Sequence, residues 1–206
     1  MKKLVLLGFC ALILASCGQS SGQKDKAKEA EKVSSTAPLF DPANLPDEPV
    51  FVMETTKGSL TFKLYADTPL HRENFVKLIH ERFFEGIMFH RIIPGFMIQG
   101  GDPQTKGMAA YTYTVPAELL PQLYPHKRGS LAAAHNGNPQ RASSSTQFYI
   151  VHTDDGAKHL DGVHTVFGEV IDGFGVIDAI AGVPVGAGGR PVKMEEVKIL
   201  SIKPLK

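Results

Sequence analysis

Tryptophan is absent from this chain of 206 residues, and only two cysteines occur, Cys10 and Cys17, both near the start. The remainder therefore holds neither a disulfide framework nor a cysteine-based zinc site. Charge of one sign is also missing. Lys and Arg total 22 against 21 Asp and Glu, a formal charge of +1, so no cationic surplus exists to neutralise nucleic-acid phosphates. Nor is there a run of the roughly 20 apolar residues that a bilayer span needs. What is present is 43% hydrophobic residues with 20 Gly and 14 Pro. That suffices for one packed core cut by many turns.

The first residues read as an address. Lys2 and Lys3 precede the apolar run 4–14, and Leu14-Ala15-Ser16-Cys17 follows. A basic start, a short apolar run and small residues form a secretory signal. The last four residues resemble a bacterial lipobox, in which the cysteine is acylated and becomes the first mature residue. Plain secretion with an incidental cysteine is the alternative. Residues 18–48 are rich in Gly, Ser, Gln, Lys, Ala, Glu and Pro, with few large apolar residues (Val33, Leu39, Phe40, Leu45). They bury too little to offset their ordering entropy and read as a tether spanning roughly 30 Å. The expected organisation is a signal peptide over 1–16, a lipidated Cys17 with a flexible tether over 17–48, and one domain over 49–206.

Within the domain, Val50–Thr55 and 59–65 are β-rich runs split by Thr56-Lys57-Gly58, a hairpin signal. Leu60, Phe62 and Leu64 alternate with Thr61, Lys63 and Tyr65, the period of a half-buried strand. Thr68-Pro69 offers an N-cap and a first-turn proline, and Phe75, Leu78, Ile79 and Phe83 follow at helical spacing. A helix over 69–80 is expected, and a second around Phe174–Ala181. Strand-like runs recur at 87–93, 96–100, 131–134, 147–151, 165–171 and 197–202. Many short strands with two helices indicate a closed or sandwich-like β architecture. Phe51, Phe62, Phe75, Phe89, Phe148 and Phe167 read as core aromatics. His71, His80, His126 and His152 are expected at the surface or at strand ends.

Three segments carry chemistry. The first is FHRIIPGFMIQGGD, residues 89–102. There Arg91 is a permanent cation among apolar neighbours, and it either pairs internally or faces a groove. Gln99 precedes a glycine pair that lets another chain's backbone come close. In the second, STQFYIV (145–151), polar and aromatic residues alternate; in the third, LDGVHTVFGEV (160–170), a turn leads into a strand. His159 and His164 flank Asp161, but their spacing on a turn is not that of a zinc site, and no metal is expected.

In order and spacing these segments resemble the signature stretches of the cyclophilin family of peptidyl-prolyl isomerases, over roughly residues 50–204. The resemblance implies a mainly β fold, a closed eight-stranded antiparallel barrel capped by two α-helices, with the substrate groove outside the barrel. It implies Arg91 as the catalytic arginine, and Phe96, Met97, Tyr149 and Leu160 as walls of a proline pocket, although Tyr149 stands where Phe is usual. Gln99 would bind substrate backbone, His164 would edge the pocket, and Ala134 and His135 would hold the residue before proline. Gln147 completes the substrate-binding set. Two departures are His135, where Asn is frequent, and His159, where many members carry Trp; the second implies weak cyclosporin binding. The segment 138–145 is a few residues longer than in compact relatives.

The reading is therefore a cofactor-free prolyl isomerase, a monomer acting on proline-containing polypeptides and not on nucleic acid. The lipid on Cys17 would hold it to a membrane of a bacterial envelope, with the outer membrane facing the periplasm favoured because Gly18 is no evident inner-membrane retention signal. The rival reading is a membrane-tethered peptide-binding holdase in which turnover plays no part.

Overall fold

Alternation along short strands decides the architecture. The structure, a computed structural model, describes residues 39–205. The signal peptide, Cys17 and the tether before residue 39 lie outside the described residues.

Strands β1 (Val50–Thr55) and β2 (Gly58–Leu64) form the expected hairpin, with Gly58 at φ +121° in the turn. Helix α1 (Pro69–His80) follows, then β3 (Arg91–Ile93), β4 (Met97–Gly100), β5 (Thr114–Val115), β6 (Ser130–Ala133), β7 (Ser143–Ser144), β8 (Phe148–Val151), β9 (Val166–Asp172), α2 (Phe174–Ala181) and β10 (Ile199–Pro204). Eight strands pair antiparallel in the order β10-β1-β2-β9-β6-β8-β4-β3, and β5 pairs with β7 apart from them.

The expected closed barrel is a curled sheet whose two edges share no ladder. The run 87–93 divides. Phe89 N–H bonds the Val197 carbonyl at 2.9 Å, and Ile199 N–H bonds the Ile87 carbonyl at 2.8 Å, around one isolated bridge between Met88 and Lys198. After residue 90 the chain turns to pair with β4 instead. The seam is therefore held by a few bonds around an isolated bridge rather than by a ladder.

Inward-facing residues of alternate positions fill the inside. Phe51, Phe62, Phe75, Phe84, Phe89, Phe148 and Phe167 share one buried cluster with Leu78 and Ile79 of α1 and Ile177 and Ile180 of α2. Each such side chain contributes roughly 1.5–3 kcal/mol by leaving water. A filled interior leaves only the outside for substrate.

Two local expectations change. Thr68 occupies the N-cap of α1, but its hydroxyl makes no cap bond and is buried without a partner. The Glu118 carboxylate, 50 residues away in sequence, accepts the Leu70 and His71 N–H groups at 3.0 Å each. It supplies the negative charge that a helix N-terminus favours. In addition, residues 39–48, assigned above to the tether, lie on the domain. The Phe40 ring meets Phe51 at 6.0 Å and His80 at 5.6 Å, Arg72 donates to the Asp47 carbonyl at 2.8 Å, and Lys63 donates to Glu48 at 3.0 Å. Phe40 and Leu45, two of the few large apolar residues in that stretch, are what the core holds. Phe40→Ala is expected to remove about 1–2 kcal/mol of stability, half or less of a full core deletion. Thermal unfolding should then move down by about 2–8 °C; an unchanged midpoint would show that this strap contributes nothing.

Candidate active site

The same two-residue period that fills the interior builds a second apolar cluster on the outer face. On β4, Ile98 points in and Met97 out; on β8, Phe148 and Ile150 point in, Tyr149 and Val151 out; on β6, Leu131 points in and Ala132 out. Register then aligns the outward residues. One row across β3, β4, β8 and β6 reads Arg91, Gln99, Tyr149, Ala132, and the next reads Ile93, Met97, Val151. Phe96, Ala134 and Leu160, half-buried, close around Met97 and Tyr149.

Arg91 resolves the alternative left open by its sequence. It opens β3 with its side chain exposed on the outer face, and Nη1 donates to Gln99 Oε1 at 3.4 Å. Gln99 Nε2 in turn donates to Gln147 Oε1 at 3.0 Å. A planar cation thus stands at the rim of an apolar cup, restrained by a long hydrogen bond to Gln99 and, among the described residues, paired with no carboxylate.

Histidines edge the cup. His164 donates Nδ1–H to the Ala133 carbonyl at 3.0 Å and meets Tyr149 edge-on at 5.6 Å. His135 stacks on His164 at 4.1 Å, donates Nε2–H to the Val163 carbonyl at 3.1 Å and accepts the Gly137 N–H at 2.9 Å. That pattern needs a neutral His135 ring with its proton on Nε2. His159 lies 5.5 Å from Phe96. The catalytic and substrate-binding residues named from sequence therefore fall on one patch, with Arg91 at the rim of its two parts. Met97, Tyr149, Phe96, Leu160 and His164 form the cup; Gln99, Gln147, Ala134 and His135 line an adjoining polar groove of about 380 Å³.

Sequence reasoning missed the far wall of that groove, which Tyr111 and Tyr113 supply from the 107–113 loop. Tyr113 is pinned by its hydroxyl donating to Asn74 at 2.8 Å, and Tyr111 rests on Phe83 at 5.2 Å. Only the alternating Tyr-x-Tyr hinted at it. The placement of two histidines is also corrected. His71 and His126 are buried rather than superficial, because each ring is paired to a carboxylate: His71 to Glu118 at 2.6 Å and His126 to Asp161 at 2.7 Å.

Burial holds His126, His164 and His90 below the ordinary histidine range, against the opposing pull of Asp161, the Ala133 carbonyl and Asp102 respectively. In the unfolded chain these rings take up protons near pH 6.5, while the folded chain does not. The unfolded state then binds more protons as pH falls through that value, so stability declines on acidification. The unfolding midpoint should fall from pH 7 to 5 and stay level between 7 and 8; a flat acid limb would contradict the burial of these rings.

Comparison with known proteins agrees with this geometry. The model of the family described as cyclophilin type peptidyl-prolyl cis-trans isomerase/CLD matches residues 50–204. A peptidyl-prolyl cis-trans isomerase of Synechococcus elongatus is 42% identical over 122 residues, covering 59% of this chain and 79% of that protein. One from Acinetobacter baylyi is 36% identical over 165 residues, covering 75% of this chain and 87% of the relative. The crystal structure of a Cryptosporidium parvum cyclophilin type isomerase superposes with a TM-score of 0.70 at 28% identity, covering 77% of this chain and 98% of that one. A second structure of it, obtained in the presence of the dipeptide Ala-Pro, gives 0.68 at 27%, covering 76% and 99%. With the outer-face cup, the Arg91 rim and a family match across the whole domain, this chain belongs to the cyclophilin-type peptidyl-prolyl cis-trans isomerases.

Proposed function

We propose that this isomerase turns X–Pro bonds in extended or unfolded polypeptides of a bacterial envelope, with Arg91 as its catalytic residue and a lipid on Cys17 as its tether. The observation that carries the site assignment is the register row that sets Arg91 beside Gln99 and Tyr149, above Met97.

Rotation about the imide breaks amide resonance, a barrier of about 18–20 kcal/mol. Halfway round, the prolyl nitrogen regains its lone pair and becomes a hydrogen-bond acceptor. A donor aimed at that nitrogen binds the twisted state better than either planar one, which is what lowers a barrier. The Arg91 guanidinium is such a donor, rigid and permanently charged. The cup of Phe96, Met97, Tyr149 and Leu160 holds the proline ring still, Gln99 and Gln147 engage substrate backbone, and the segment at Ala134 and His135 lies along the residue before proline. Dry walls also remove the water that favours the planar amide. Proton transfer and a nucleophile have no part in the reaction. An isomerisation assay on an Ala–Pro peptide tests this: the rate should rise in proportion to enzyme, and a rate equal to the uncatalysed one ends the proposal.

The lipobox-like Leu14-Ala15-Ser16-Cys17 supports the tether. Diacylglycerol on Cys17 supplies the two chains that stable anchoring needs, and Gly18 favours the outer membrane facing the periplasm. Cys17→Ser is expected to shift the protein from the membrane pellet to the soluble fraction. Recovery of the variant in the pellet would rule out lipid anchoring. The protein acts as a monomer and, with His159 in place of Trp, binds cyclosporin weakly.

A further inference from the structure

The outer-face cup has a buried polar support that substrate contacts alone do not require. Tyr149 is 4% exposed and His126 is 2% exposed. The Tyr149 hydroxyl lies 2.9 Å from His126 Nε2, and His126 Nδ1 lies 2.7 Å from Asp161 Oδ1. The carboxylate only accepts, so Nδ1 carries the proton and Nε2 accepts the tyrosine O–H. Burial and the Asp161 charge both raise the Tyr149 pKa, so the hydroxyl stays protonated and remains the donor. Burial pushes the Asp161 carboxyl up, but bonds from the His126 amide and ring outweigh it and leave it below its usual range, hence ionised.

These three residues join separate parts of the cup. Tyr149 is on β8, the floor. Asp161 directly follows Leu160, a wall, at the end of a short 3-10 turn over Lys158–Leu160. His126 sits between them, its N–H also donating to Asp161 Oδ1 at 2.8 Å and its carbonyl accepting Ala157 N–H at 2.7 Å. His164 and the Val163 carbonyl tie the same loop to Ala133 of β6 and to His135, but among the described residues its polar link to β8 is this chain of bonds, and apolar contact sets no unique spacing. A phenylalanine at 149 would leave His126 Nε2 buried with no donor, so the hydroxyl on this pocket wall and the histidine behind it belong together.

We propose that His126 and Asp161 are positioning residues of this isomerase, fixing the width of the proline cup through a Tyr149–His126–Asp161 hydrogen-bond chain. The inference rests on the cup being the proline site. A cup of fixed width grips the ring equally in planar and twisted states, so loosening it changes binding more than turnover. The test uses the full-length protein with a short Ala–Pro peptide, measuring Kd, KM, kcat and unfolding midpoint for Tyr149→Phe, Asp161→Asn and the double variant. Each single change is expected to raise Kd and KM about 3- to 10-fold, the effect of losing one or two buried hydrogen bonds, with kcat within about twofold. The double variant should do no worse than the poorer single one, because either change cuts the same chain. Additive effects, or unchanged Kd and KM, would overturn the inference. So would a fall in kcat that tracks a lower midpoint at constant KM, the mark of a purely structural role. A wild-type protein that binds the peptide without turning it over would remove the catalytic assignment and leave this inference standing; one that does neither removes both.

Discussion

Arg91→Ala should lower kcat/KM for an Ala–Pro peptide by about 10- to 150-fold, the equivalent of one charge-assisted hydrogen bond of roughly 1.5–3 kcal/mol that exists only in the twisted state. The loss should fall on kcat, since the apolar cup proposed to hold the ring is untouched. Stability should barely move. Arg91 is exposed, its one side-chain hydrogen bond among the described residues is the 3.4 Å contact to Gln99, and it opens a strand rather than filling a core. Arg91→Lys should restore only part of the rate, because an ammonium is a hydrated point charge on a flexible stem and lacks the planar fork. The assay is single-turnover isomerisation followed alongside the unfolding midpoint of each variant. Full activity in Arg91→Ala would show that the cup alone accelerates rotation and would shift the mechanism to desolvation.

Gly101→Ala is expected to be the most damaging small substitution in the domain. Gly101 sits at φ +89°, and a Cβ there would lie 2.0 Å from the Thr146 carbonyl oxygen and 2.8 Å from Gln147 Cα. Both are backbone, so neither can swing aside as a side chain would. A non-glycine residue at such a φ costs about 1–3 kcal/mol before any clash. With the clash the loss should exceed about 3 kcal/mol, an unfolding midpoint lower by more than roughly 6–12 °C. Displacing Gln147 would also break its contact with Gln99, so activity should fall in the fraction that still folds. Gly95→Ala is the control: its φ is +76°, but nothing lies within 4 Å of the added carbon. Only the conformational cost of about 1 kcal/mol applies there. Equal midpoints for the two variants would mean that backbone strain, not close approach, is all that position 101 demands.

The glycine pair was legible as a place of close backbone approach, although the sequence pointed to another chain's backbone and Gly101 admits Thr146 and Gln147 of this chain. Much of the site was legible too. Met97 and Tyr149 were named through the family resemblance, and in the structure alternation along their strands sets them on the face opposite Ile98 and Phe148. The helix Phe174–Ala181 came out at the bounds expected. Not legible were the far wall of the groove, the strap over 39–48 and the burial of His71 and His126. Tyr111 and Tyr113 sit on an irregular loop, where no periodicity marks a facing direction. Phe40 and Leu45 were visible as apolar residues, but a stretch poor in them gives no sign of which few will find a partner.

The order and spacing of three signature stretches thus carried the family resemblance and, through it, the residues of the candidate site, while alternation by itself set which side chains share a strand face. Those features are local: neighbouring side chains on a strand must point to opposite faces, wherever the strand lies. Tertiary structure alone decided which polar groups complete one another. Glu118 caps a helix 48 residues before it, His126 bridges Tyr149 and Asp161 across 23 and 35 residues, and the sheet edges meet through one bridge between Met88 and Lys198. A buried hydrogen bond needs its partner within about 3 Å but at no particular distance along the chain, so only the folded backbone names it.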